Sequence, residues 1–342
     1  MARGSRETGP PRVSVLLPVL DAEETLEACL RSIARQVEHD WECVLVDDGS
    51  RDGSLARATG FAERDARMRL FPAPHRGLVA TLGFGLVQCR GRYVARMDAD
   101  DVMHRRRLAE QADLLDANPA WAGAGCHVRA FPRSALGPGD RAYERWINGI
   151  RSPEDVEREA FVECPLVHPT WMFRREVLLE HGYKDRSWPE DYDLILRLIT
   201  GGARLGVLRR RRLCWRHGVD RLSRRSPAYE PRRFTECKAL HLARSFLART
   251  ERYILWGYGA TGRALCRALM EQGKLPSHIV ELHAGRLGNL IHGAPVIPRE
   301  SLCEIPRLPL VVSVARAGPR NEIRRALEAM GFVEMRDFVC AA

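Results

Sequence analysis

Apolar residues run almost without a break through "VSVLLPV" at 13–19, and then recur three or four positions apart at Leu26, Cys29, Leu30 and Ile33. The switch from a continuous run to a 3.6-residue period predicts a buried strand followed by an amphipathic helix. Asp21 with Glu24 reads as a capping-box-like start for that helix. A second apolar run, "ECVLV", ends in "DDGSRDGS", turn residues that lead into another helix. "RLFPA", an amphipathic helix around 77–89 and "RYVARM" continue the alternation. Strand, helix, strand, helix, strand at this spacing predicts a mostly parallel α/β sheet, whose carboxyl edge is where ligands bind.

Further on, 105–118 reads as a helix and 132–160, rich in Pro, Gly and charge, as a mobile excursion with a helix inside. A helix is expected from about Tyr192 and another through about 248. At Tyr253 the pattern restarts as strand, glycine turn and helix, with apolar runs at 278–282 and 309–314 for further strands. The expected boundary lies near Arg249, giving a domain over 1–249 and a second over 250–342.

With 342 residues, 45% of them hydrophobic, both parts can bury cores. A formal charge of +10 favours anionic partners: nucleic acid, lipid headgroups or nucleoside diphosphates. No zinc-finger spacing, basic-zipper array or aromatic single-strand platform is present, which argues against nucleic acid. Ten cysteines without a CxxC pair read as reduced core thiols in a cytoplasmic setting. The leader "MARGSRETGPP" has no apolar signal core, and no run reaches the ~18 apolar residues of a spanning helix. Membrane contact is therefore expected to be peripheral, at the inner face. The run Arg209–Arg212 is either a solvated face or such a contact to anionic lipid.

Candidate chemistry sits at the strand ends. Asp47 and Asp48 follow the second strand, and Asp98, Asp100 and Asp101 follow "RYVARM". One such cluster is explained by capping of the next turn or helix. Two on one sheet edge concentrate negative charge that calls for a cation. Hard oxygen ligands suit Mg²⁺ or Mn²⁺ bridging substrate phosphates.

"VSVLLPVLDAEETLEACLRSI", "VLVDDGSRDGS", "HRGLVATLGFGL", "GRYVARMDADDVMHRRRLAEQ", "HPTWMFRRE" and "PEDYDLILRL" together resemble the glycosyltransferase family 2 enzymes of the GT-A fold, over roughly residues 12–225. The resemblance implies a GT-A type nucleotide-binding sheet flanked by helices and a sugar transferred from a nucleotide-diphosphate sugar to an acceptor hydroxyl on a glycan or lipid-linked carrier. It also implies site residues. Pro18, Asp47 and Asp48 fall on the nucleotide side. Asp98 faces ribose or a metal-bound water, Asp100 is the direct metal ligand, and Asp191 in "PED" is the catalytic base. Asp101 is expected to cap the next helix. Glu190 either raises the base's proton affinity, meets the acceptor or is a solvated neighbour. His168 lines the acceptor side or is a buried structural histidine. Arg216 or His217 meets the diphosphate. Where many relatives carry Asn in the helix after the second cluster, this chain has Gly83.

The chemistry agrees with these roles: a diphosphate leaving group needs neutralising, and the attacking hydroxyl needs a proton acceptor. One base opposite the leaving group makes a single in-line, inverting displacement. A sugar nucleotidyltransferase would carry a Gly-rich pyrophosphate loop where this chain reads "PVLDAEETL". A non-catalytic nucleotide-sugar scaffold would not require Asp100 and Asp191. In the C-terminal part, Gly257-x-Gly259-x-x-Gly262 lies between strand and helix, as a dinucleotide fingerprint does, with Glu281 as the candidate acid. These glycines serve either tight packing or phosphate approach. The segment resembles the small Rossmann-like modules found beside sugar-modifying enzymes. NAD(P) is disfavoured as its cofactor because no Tyr-x-x-x-Lys pair offers hydride chemistry.

Overall fold

The computed structural model describes residues 9–218, 221 and 225–342. It forms two compact units. The first comprises the chain up to Pro153, Leu166–Asp185 and Ala203–Arg221.

Its sheet starts with β1 (Val13–Val19), β2 (Trp41–Asp47), β3 (Met68–Pro72) and β4 (Tyr93–Arg96), joined by α1 (Glu23–Ala34), α2 (Ser54–Ala62) and α3 (Leu78–Gln88). These four strands run parallel in the order β3-β2-β1-β4. β1 and β2 are buried along nearly their whole length, which is why they read as continuous apolar runs. The first two crossovers step to one side of β1 and the third brings β4 to its other side, so the strand order reverses at β1. Pro18 fits there. The register places its missing N–H on the β4 side, beyond Arg96, where β4 has ended and no ladder bond is lost.

The sheet continues with β5 (Val102–Met103), β6 (Trp121–Phe131), β7 (Met172–Arg174) and β8 (Arg204–Arg216), in the full order β3-β2-β1-β4-β7-β6-β8-β5. β7 lies antiparallel to both β4 and β6, whereas β6 and β8 are parallel. The 132–160 stretch holds two helices with buried faces, α5 (Pro138–Ile147) and α6 (Pro153–Glu159), after α4 (Arg107–Ala117). α7 (Arg175–His181) follows β7. Asp21 is not a helix cap: α1 begins at Glu23 without a side-chain cap, and Asp21 Oδ1 instead accepts from Arg51 N at 2.7 Å. Three of the four arginines at 209–212 have partners along β8: Arg209 Nε donates to Arg151 O, and Arg210 and Arg212 pair with Glu110 of α4.

The second unit comprises Glu154–Pro165, Arg186–Gly202 and residues 225–342. It contains α8 (Glu190–Thr200), α9 (Pro231–Arg244), β9 (Arg252–Trp256), α10 (Ala260–Glu271), β10 (Leu275–Val280), β11 (Leu290–Ile291), β12 (Ala294–Ile297), β13 (Leu310–Val312), α11 (Ala317–Ala329) and β14 (Phe338–Cys340). The sheet order is β11-β12-β10-β9-β13-β14, parallel except for the β11/β12 hairpin. The expected boundary near Arg249 falls between the two sheets, and the compact units cut across it. Tyr192 Oη of α8 donates to Ala160 O at 2.8 Å, Lys238 Nζ of α9 to Ala341 O at 2.6 Å, and Arg324 of α11 pairs with buried Glu159 at 2.8 Å. Helices written before residue 249 thus belong to the same compact unit as the C-terminal sheet.

Candidate active site

At the carboxyl ends of β1, β2 and β4 the first unit gathers its acids. Asp47 is the last residue of β2 and 2% exposed. Its Oδ2 accepts from Ser50 N at 3.2 Å, while its buried Oδ1 has no partner among the described residues. Asp48 is committed to structure: Oδ1 accepts from Arg76 N at 2.8 Å and Oδ2 from Gly77 N at 3.0 Å, with His75 Nδ1 also 3.0 Å away. It fastens the loop that enters α3 to the end of β2. Gly49, at φ +77°, allows this approach, because a Cβ there would lie 2.7 Å from His75 N.

After β4, oxygens of Asp98, Asp100 and Asp101 all lie within 4.8 Å of one another. Asp98 is ion-paired with the nearly buried Arg96. Burial, reinforced by Asp98 and opposed by Arg221, pushes Asp100 up to about 6. Asp101, 1% exposed, is driven well above the ordinary carboxylate range by burial and by its two acidic neighbours. Asp101 does not cap the following helix. Its Oδ1 accepts from Arg216 N at 2.6 Å, tying the loop to β8, and its Oδ2 has no partner among the described residues. A divalent cation fits this donor set: three hard carboxylates, two of them pushed up by burial and by their acidic neighbours, and an orphaned buried oxygen.

Several residues that the sequence reading did not single out support the cluster. Arg107, wholly buried, donates from Nη2 to Arg96 O at 2.9 Å and to Trp171 O at 3.3 Å, fixing the end of β4. Arg221 lies over the Trp215 ring at 4.2 Å, and its charge favours the ionised forms of Asp100 and Asp101. No spacing rule marks a buried arginine or a cation set by a distant strand.

The softer expectations resolve differently. Arg216 Nε donates to Asp100 O at 2.7 Å and its guanidinium covers Phe131, so it braces the acidic loop. His217 is buried against Trp215, its Nδ1 3.4 Å from Asp140 Oδ1. His168 is 7% exposed, 3.0 Å from Tyr183 Oη and packed on Trp171, and burial holds it well below the usual imidazole range. This favours the structural alternative for His168.

Glu190 and Asp191 open α8 and belong to the second unit. Glu190 is 3% exposed and accepts from Tyr229 Oη at 2.7 Å; it is no solvated neighbour. Asp191 is half-buried, and its Oδ1 accepts from Tyr192 N at 2.7 Å. Two residues on, wholly buried Asp193 takes bonds from Arg197 Nε at 2.7 Å and His241 Nε2 at 3.1 Å. Burial opposes the Asp193 charge, yet these partners hold its pKa down to about 2.

Residues 14–182 match the family model described as "Glycosyl transferase family 2". The chain is 30% identical over 227 residues to the putative glycosyltransferase EpsE of Bacillus subtilis, covering 64% of this chain and 78% of that one. It is 31% identical over 193 residues to the amylovoran biosynthesis glycosyltransferase AmsE of Erwinia amylovora, covering 55% and 70%. Among solved structures, the mannosyltransferase PcManGT from Pyrobaculum calidifontis, in complex with GDP-Man and Mn²⁺, superposes with a TM-score of 0.52 at 21% identity, covering 78% of this chain and 74% of that one.

Proposed function

The chain belongs to glycosyltransferase family 2 and has the GT-A fold; from that premise we propose that it is an inverting, metal-dependent enzyme that moves a sugar from a nucleoside diphosphate to an acceptor hydroxyl, in the synthesis of a surface polysaccharide or glycoconjugate. The observation that carries the metal dependence is the Asp98–Asp100–Asp101 cluster, whose negative charge is incompletely balanced by Arg96 and Arg221.

Asp100 holds the Mg²⁺ or Mn²⁺ directly, with Asp98 beside it. When bound, that cation supplies Lewis-acid neutralisation of the diphosphate as it leaves. Asp47, with an acceptor oxygen to spare, takes a donor from the nucleotide base. Asp48 acts through the 75–77 loop that it holds, and Pro18 leaves the strand end open for the nucleoside. Asp191 accepts the proton of the attacking hydroxyl. The resemblance of "PED" to the family's base supports this role, as does its place in the first turn of α8 beside the buried Glu190. GDP-Man in the PcManGT complex and the amylovoran biosynthesis named for AmsE support the donor and acceptor classes.

The test is release of free nucleoside diphosphate across a panel of UDP-, GDP- and dTDP-sugars, with Mn²⁺, Mg²⁺ or chelator. One donor should turn over only with a cation, and Asp100→Asn should abolish that turnover and the cation-dependent affinity for the nucleotide. Turnover unaffected by chelator would refute the metal assignment. Retained anomeric configuration in the product would refute inversion.

A further inference from the structure

The glycine turn of the second unit contains one glycine that the fold does not need. Gly257 is at φ +95°, and a Cβ there would lie 2.6 Å from Val314 Cγ2 and 2.9 Å from Ser313 O. At Gly262 a Cβ would collide with Gly257 O. Both are dictated by the seating of α10 on its strands. Gly259 is exposed, has an ordinary φ of −71°, and nothing lies within 4 Å of where its Cβ would be. Packing does not account for its missing side chain, and the open space leaves the backbone there free to be approached.

What would approach is set by the groups facing that room. Gly259 is the N-cap of α10 with no side-chain cap, leaving the first-turn N–H groups of this 12-residue helix directed at solvent. Beneath the turn, Ser313 follows β13 and pairs through its N with Trp256 O at 2.8 Å, which places it beside Gly257. Val312 faces the core that includes Ile323 and Leu327 of α11, so strand alternation turns Ser313 to the other face, which α10 covers. Ser313 is 98% buried, and its buried hydroxyl has no partner among the described residues. An unpaired buried hydroxyl is costly unless a ligand or water meets it. Arg263 in the first turn of α10 adds positive charge, whereas Arg286, bonded to Tyr258 O at 2.9 Å, is ion-paired with Glu281 at 2.8 Å.

Glu281 stands where a dinucleotide site has an acid for the adenosine ribose. Its four acceptor positions are already taken: Oε1 by Leu282 N at 2.9 Å and His283 N at 3.4 Å, Oε2 by Tyr258 N at 3.3 Å and Arg286 Nη1 at 2.8 Å. No capacity remains for ribose hydroxyls.

We infer that Gly257–Gly262, with Ser313 beneath it, is a binding site for the phosphate group of a phosphate monoester or mononucleotide, and is not a dinucleotide site. The test uses the full chain with inorganic phosphate, AMP and NAD⁺, read by calorimetry and by hydrogen exchange of the peptide spanning 257–265, which reports this turn whatever happens at the acidic cluster. Millimolar phosphate or AMP should slow exchange there. Equal binding of the two assigns free phosphate as the group read, and tenfold tighter AMP assigns a nucleotide. Gly259→Val should lower affinity at least tenfold with an unchanged melting temperature, and Ser313→Ala should weaken binding without loss of stability. Absence of protection by either probe, wild-type affinity in Gly259→Val, or NAD⁺ binding tenfold tighter than AMP would overturn the inference.

Discussion

At the scale of single residues, two aspartates two positions apart on α8 have opposite tasks. Asp191 is half-buried and is proposed as the base, so Asp191→Asn should leave donor affinity nearly unchanged and lower kcat by about 10² or more, because only the transition state uses its proton acceptor. Steady-state transfer kinetics alongside nucleotide calorimetry check this. Asp193 is structural. Its pKa is held down from 3.8 to about 2, so its carboxylate stabilises the fold fully above about pH 4 and loses that contribution as pH falls towards 2. The difference corresponds to about 2 kcal/mol. Urea midpoints at pH 7 and pH 3 should therefore differ more in the wild type than in Asp193→Asn, and an unchanged difference would show that the bonds from Arg197 and His241 are not the cause.

At the scale of elements, the glycines show how closely helices sit on strands. In α3, Gly85 faces Leu16 and Val46, where a Cβ would come within 2.5 and 2.9 Å of side-chain atoms, while nothing lies within 4 Å of the corresponding position at Gly83. Gly85→Ala should cost roughly 1–3 kcal/mol by overpacking. Gly83→Ala should stabilise the same helix by about 0.5–1 kcal/mol. Thermal unfolding of both variants tests this, and equal effects would mean that α3 does not press on the sheet as described. The helix itself was legible from its period. Which glycine it needs was not, because that depends on the strand beneath.

At the scale of the whole molecule, the boundary near Arg249 falls just before the second sheet begins at Arg252, while the compact units cut across it. A chain ending at Arg249 loses Arg324, the partner of buried Glu159, and Ala341 O, the acceptor of Lys238. Removing one member of a buried ion pair costs about 3–5 kcal/mol. We expect that truncated chain to lose its cooperative transition or to aggregate, as followed by calorimetry and size-exclusion chromatography. A soluble chain of unchanged melting temperature would restore the simple division at 249.

What the sequence determined by itself is what local periodicity and short spacing encode: the βα alternation of β1–β4, the strand–glycine–helix restart after 250, and the acids at strand ends, because a buried parallel strand must read as an apolar run and its end as a turn. Tertiary structure alone decided the rest. Asp101 pairs with Arg216, 115 residues away, and not with the next helix. Arg107 is drawn beneath β4 because the carbonyls of Arg96 and Trp171 meet there. α8 and α9 belong to the same compact unit as the C-terminal sheet, within which Tyr192 and Lys238 find their partners. A charge or an apolar face constrains a short stretch of chain to have a partner, but the partner's identity is set by which distant strands and helices the completed fold brings alongside.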